Sequence, residues 1–136
     1  MYVIVYLQKS LMEKFLFIIR EDLKKMQGVS TEERQANIPP MLKWVEGIAE
    51  GGNYLWGEPL TPKGRYIRKD EVLSDGPFIE SKEGVSGVMV VTAENLEQAS
   101  EVAQMCPLVL RGIGVVEVRP FLEVPPEMQV KGSSHK

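Results

Sequence analysis

One cysteine and one histidine in 136 residues exclude a good deal of chemistry at the outset. Cys106 has no second cysteine with which to close an internal disulfide, and a lone thiol on the apolar side of a helical pattern reads as buried packing rather than as an activated nucleophile. His135 stands beside the C-terminus, so no cluster of metal-ligating side chains is expected. The side chain best suited to moving protons at neutral pH is absent from the body of the chain. No metal and no cofactor are expected on these grounds. There is also no excess of positive charge: 16 Lys and Arg against 19 Asp and Glu leave a net charge of -3. That balance offers no broad field for phosphate backbones or anionic lipid, and nucleic acid is excluded as an expected partner. No apolar run reaches the roughly 18 residues of a spanning helix. The apolar opening from Met1 to Leu7 lacks the basic start and small-residue cleavage site of a signal peptide. The chain is read as cytoplasmic, with no membrane partner.

What is present suffices for one domain, since 43% of the residues are hydrophobic and a chain of this length buries a core without staples. Phe15 to Arg20 is a dense apolar and branched run, short enough for a buried strand, and the polar stretch from Glu21 to Val29 reads as a loop. Ser30-Thr31-Glu32-Glu33 has the form of a capping box and predicts a helix start. Ile38, Met41, Leu42, Val45, Ile48 and Ala49 follow as one buried helical face. Pro39-Pro40 interrupts that face and predicts either a kink or a fresh start, and Gly51-Gly52 closes the helix. A strand over Tyr54 to Gly57, a turn-rich link, and a short hairpin around Lys69-Asp70-Glu71 come next. Val85 to Thr92 is the clearest strand. Asn95 and Gln98 cap a second helix running through Met105, with Leu96, Ala99, Val102, Ala103 and Cys106 on its inner side and Pro107 at its end. Gly114 to Phe121 forms the closing strand. This order is a split βαβ pattern, an α+β fold of the ferredoxin-like type. Such a sheet leaves one face uncovered by helices, and pairing of two copies is the economical way to bury it.

The stretch from Asp75 to Gly84, which reads Asp-Gly-Pro-Phe-Ile-Glu-Ser-Lys-Glu-Gly, resembles the DGPF signature of the YCII-related domain family. The match continues through Gly87, the acidic helix start near Asn95, and the closing Val116-Glu117-Val118-Arg119-Pro120. It covers residues 13–122, leaving 1–12 as an extension or a start placed too early and 123–136 as a flexible tail. The resemblance implies a homodimeric α+β barrel around a central cavity, and the charges described below make a small polar or anionic molecule the expected ligand. Three functions are open to such a dimer: isomerase- or lyase-like acid-base activity, a non-catalytic sensing role, to which the resemblance adds family genes near alternative sigma factors, or a purely structural or partner-binding role. In the better-studied branch the resemblance implies an active His–Asp pair, for which this chain has no matching histidine.

Within the signature Asp75 is the candidate catalytic acid-base group. Gly76, Pro77 and Phe78 form the turn that holds it, although an Asp in this position also caps backbone amides for purely structural reasons. Glu80 and Lys82, with Glu83, form either a ligand-binding set or a solvated loop. Alternation in the last strand places Glu117 and Arg119 on one face, and Arg20 shares parity with Leu16 and Ile18. If those strands are neighbours, the three charges line a cavity mouth as ligand-binding residues; the alternative is a structural ion pair at a dimer seam. Aromatic residues are few, 7% of the chain, and Trp44, Tyr54 and Trp56 read as core or interface rather than as a pocket wall.

Overall fold

The computed structural model describes residues 12–22, 28–61, 63–74 and 83–130. β1 (Glu13–Asp22) is the central strand, paired antiparallel with β5 (Glu83–Ala93) on one side and with β6 (Gly114–Pro120) on the other. β2 (Tyr54–Pro59) joins the outer edge of β5, which gives the order β2-β5-β1-β6. Helix α1 (Thr31–Glu50) connects β1 to β2, and α2 (Leu96–Gln104) with the short α3 (Pro107–Leu110) connects β5 to β6. β3 (Arg65–Arg68) and β4 (Glu71–Ser74) form the separate hairpin expected around Lys69 and Asp70. Each connection returns to a parallel strand with one antiparallel strand between, which is the split βαβ plan of a ferredoxin-like α+β fold.

Period-two alternation in β1 divides the sheet. Phe15, Phe17 and Ile19 are buried beneath the helices with Met89, Val91 and Ala93 of β5 and Ala99, Ala103, Cys106 and Leu108 of the helical connection. Phe17 stacks on Trp44 of α1 with ring centroids 6.3 Å apart. The Trp44 Nε1–H donates to the Val102 carbonyl at 3.1 Å, tying α1 to α2.

The start of α1 is as expected, with the Ser30 hydroxyl accepting the Glu33 amide at 3.1 Å. Its interior differs. Pro39 and Pro40 lie inside one continuous helix rather than opening a new one. The two lost amide donors leave the Gln35 and Ala36 carbonyls on an exposed face, open to water. The buried stripe is Met41, Trp44, Val45 and Ile48, whereas Ile38 and Leu42 are more than half exposed and Ala49 faces solvent. The expected stripe was rotated by the omission of Trp44, whose indole is the largest group available to cover Phe17. Gly52, at φ 77°, supplies the left-handed residue that closes the helix.

Other boundaries shift modestly. Glu21 and Asp22 extend β1 instead of starting a loop, and residues 23–27 of that expected loop lie outside the described set. Leu96 is exposed, unlike the rest of its expected face. Pro107 opens α3 rather than merely stopping α2, because a proline at the first helical position gives up an amide that would be unsatisfied anyway. After β6 the chain makes one 3-10 turn over Pro126–Met128.

Replacing Phe17 by Ala should cost about 3–5 kcal/mol, and Leu42→Ala less than about 0.5 kcal/mol, in urea denaturation. Equal costs would show that α1 buries the face containing Leu42.

Candidate functional site

On the face of the sheet away from the helices, register assembles three rows. The first runs Arg119, Leu16, Val90, Trp56 across β6, β1, β5 and β2. The second runs Glu117, Ile18, Val88, Glu58, and the third Val115, Arg20, Val85. Apolar residues thus fill the middle, with Arg20, Glu117 and Arg119 toward the β6 side and Glu58 at the β2 edge.

Two bulges shape this face. An extra residue in β5, Ser86, interrupts pairing between Ile19 and Arg20, and its hydroxyl donates to the Ile19 carbonyl at 3.4 Å. Bulges of this kind increase local twist and re-aim the neighbouring side chain, here Arg20. The second bulge, at Leu55, lets Tyr54 stand opposite Val91 and Trp56 opposite Val90. Without it, alternation would place Tyr54 and Trp56 on the same side. Tyr54 therefore packs against the core while Trp56 faces the other way, and with Trp44 stacked on Phe17 the three aromatic residues do not form one wall. Gly57 opposite Met89 is required by close approach, because a Cβ there would lie 2.8 Å from the Met89 Cβ.

Arg20, Glu117 and Arg119, expected as neighbours from strand parity, are brought together. The Arg20 Nε and Nη2 groups donate to one Glu117 carboxylate oxygen at 3.4 and 3.3 Å. Arg119 Nη1 faces the other oxygen at 3.7 Å, an ion pair longer than a hydrogen bond. One carboxylate therefore serves two guanidiniums, and Arg119, with 67% of its side chain exposed, keeps most of its donors toward solvent. Arg20 and Glu117 are about one-third exposed, so the pair is worth at most about 1 kcal/mol to stability. The arrangement can orient a planar acceptor such as a carboxylate or phosphate.

Asp75, Gly76, Pro77, Phe78, Glu80 and Lys82 lie outside the described residues. Among those described, no group of three His, Cys, Asp or Glu side chains could hold a metal, and no helix is long and apolar enough to cross a membrane. Cys106 is fully buried, its sulfur 3.9 Å from that of Met41. Burial pushes the thiol up from its ordinary value of 9.0; the Leu108 and Val109 amides oppose this and the Glu21 carboxylate adds to it. This thiol is packing. Glu58 on the open face was missed in the sequence, and Trp56 was named without its facing, since the bulge that turns them carries no signal in residue type.

A family model for the YCII-related domain matches residues 14–123. The chain belongs to the YCII-related domain family. Its matched span contains every element from the central strand to the end of the sheet, including Arg20, Glu117 and Arg119. No curated protein matches this YCII-related chain.

In the YCII-related domain, removing the shared carboxylate by Glu117→Gln should change stability by no more than about 1 kcal/mol, read from denaturation midpoints. A loss of several kcal/mol would assign Glu117 to structural support. Cys106 should resist iodoacetamide in the native protein and react once unfolded. The raised thiol pKa contributes stability that is present below the ordinary 9.0 and lost as pH climbs through the folded value. Stability in urea should therefore fall with pH in that alkaline range for the native sequence and less for Cys106→Ala.

Proposed function

We propose that this protein, placed by its Asp-Gly-Pro-Phe motif in the DGPF branch of the family, is a homodimer in which two open sheet faces enclose a cavity for a small polar or anionic molecule. The reading rests on one observation: Glu117 is shared by Arg20 and Arg119, so that two guanidiniums stand against one carboxylate beside an apolar floor. Leu16, Ile18, Val88 and Trp56 on that floor are only half-buried in a single copy, and a second copy is the economical cover for such a surface. Arg119, the more exposed of the two arginines, is the side chain with donors left for an incoming acceptor.

In this reading any acid-base, isomerase- or lyase-like step falls to Asp75, with Glu80 and Lys82 as further ligand contacts, in a reducing cytoplasm where the lone thiol stays reduced. A second reading, ligand sensing without turnover and linked to alternative sigma factor signalling, is favoured by the position of the single histidine at residue 135. The span matched to the family, residues 14–123, contains no histidine to shuttle protons.

Native mass spectrometry of protein taken directly from cells is expected to show a dimer carrying added mass. Arg119→Gln should remain dimeric and lose retained ligand roughly tenfold, the scale of a charged hydrogen bond. A monomer would remove the cavity and the proposal with it. Once the ligand is known, Asp75→Asn separates the two readings: turnover lost with binding kept supports acid-base catalysis, and binding without turnover in the native chain supports sensing.

A further inference from the structure

A concavity of about 650 Å³ lies on the helical side of the sheet, between α1 and α2. It is lined by α1 and α2, by Asn53 ahead of β2, by the end of β5, and by Met12 ahead of β1. Trp44, Ile48, Val91, Val102 and Met105 give it an apolar floor. Two charged side chains stand on its lining, Lys43 of α1 and Glu94 ahead of α2. Neither is held in an ion pair, with each other or with any other described residue. The Glu94 backbone amide is tied to the Gln98 side chain at 2.7 Å, so its position is fixed while its carboxylate remains available.

Gly47 adds an independent indication. It lies inside α1, where alanine would hold the helix better. A Cβ at this position would meet nothing within 4 Å, so no neighbour demands glycine there. The space that it leaves open is part of the groove. Gly51, at the C-terminal end of α1, also lines the groove, and the last turn of this helix has no basic residue to offset its partial negative charge.

We propose that this groove binds a small zwitterion with an apolar body, of the class of large apolar amino acids and their dipeptides. The ligand's carboxylate meets Lys43, its ammonium meets Glu94 near the carbonyl end of α1, and its side chains lie on Trp44 and Ile48. A ligand of one charge sign would leave either Lys43 or Glu94 facing its own sign. A bipolar one satisfies both.

The test is a titration of the full-length protein with phenylalanyl-phenylalanine, followed by amide chemical shifts. The free dipeptide should move the Gly47, Gly51, Asn53 and Gln98 amides. Its N-acetyl and C-terminal amide derivatives should each bind roughly threefold more weakly or worse, as expected for loss of one exposed charge contact. Lys43→Ala should erase the penalty for amidation, and Glu94→Ala that for acetylation. Gly47→Leu should abolish the shifts while leaving those of the sheet intact. Equal binding of free and blocked dipeptides, or no movement of groove amides, overturns the proposal. Groove shifts that follow protein concentration without ligand also overturn it, by assigning the surface to a second copy.

Discussion

Everything in this molecule is organised by the central position of β1, hydrogen-bonded along both edges and alternately buried on one face. Phe15 and Phe17 lie fully inside beneath the helices, and each is worth several kcal/mol of stability. Because successive residues must point oppositely, fixing those two fixes Leu16, Ile18 and Arg20 on the other side. The position of the charged site is therefore a consequence of core packing. The helices have only to cover one side, and Trp44 does most to close α1 over Phe17 while bonding to the Val102 carbonyl of α2.

The energetics of the two faces differ in kind. Under the helices, stability comes from burial, and burial drives the Cys106 thiol there toward its neutral form. On the open face the charged residues remain solvated enough that their mutual attraction contributes little to folding. Two arginines sharing one glutamate are thus hard to explain as reinforcement of the fold, and the proposed binding of an acceptor would give the second arginine a physical purpose. The absence of histidine from the family span weighs on the nature of any reaction, not on the capacity to bind.

Much of this was legible in the residues because local signals and global packing agree. Ser30 with Glu33 and Asn95 with Gln98 capped their helices as their spacing indicates, and alternation placed Arg20, Glu117 and Arg119 correctly on a shared face. Failures came where a residue type is ambiguous between roles. Ile38 and Leu42 fit a helical period as well as Trp44 does, and only the position of Phe17 decides which stripe turns inward. Two adjacent prolines look like a break, yet on a solvated helix surface their unsatisfied carbonyls are tolerated. The groove between α1 and α2 had no signature at all, being made by what Gly47 does not carry.

The bulge at Leu55 makes β2 behave like a reading frame. One surplus residue changes the parity of everything beyond it, so that Trp56 and Glu58 face the open side while Tyr54 remains under the helices. Substitution at Leu55 alters a side chain, but its deletion would remove the bulge between Tyr54 and Trp56 and the parity change that it makes. Gly57 is tolerable only where it now lies, against Met89. In this short edge strand chain length is therefore under tighter constraint than chemical identity, and homologous chains are expected to vary there by replacement rather than by insertion or loss.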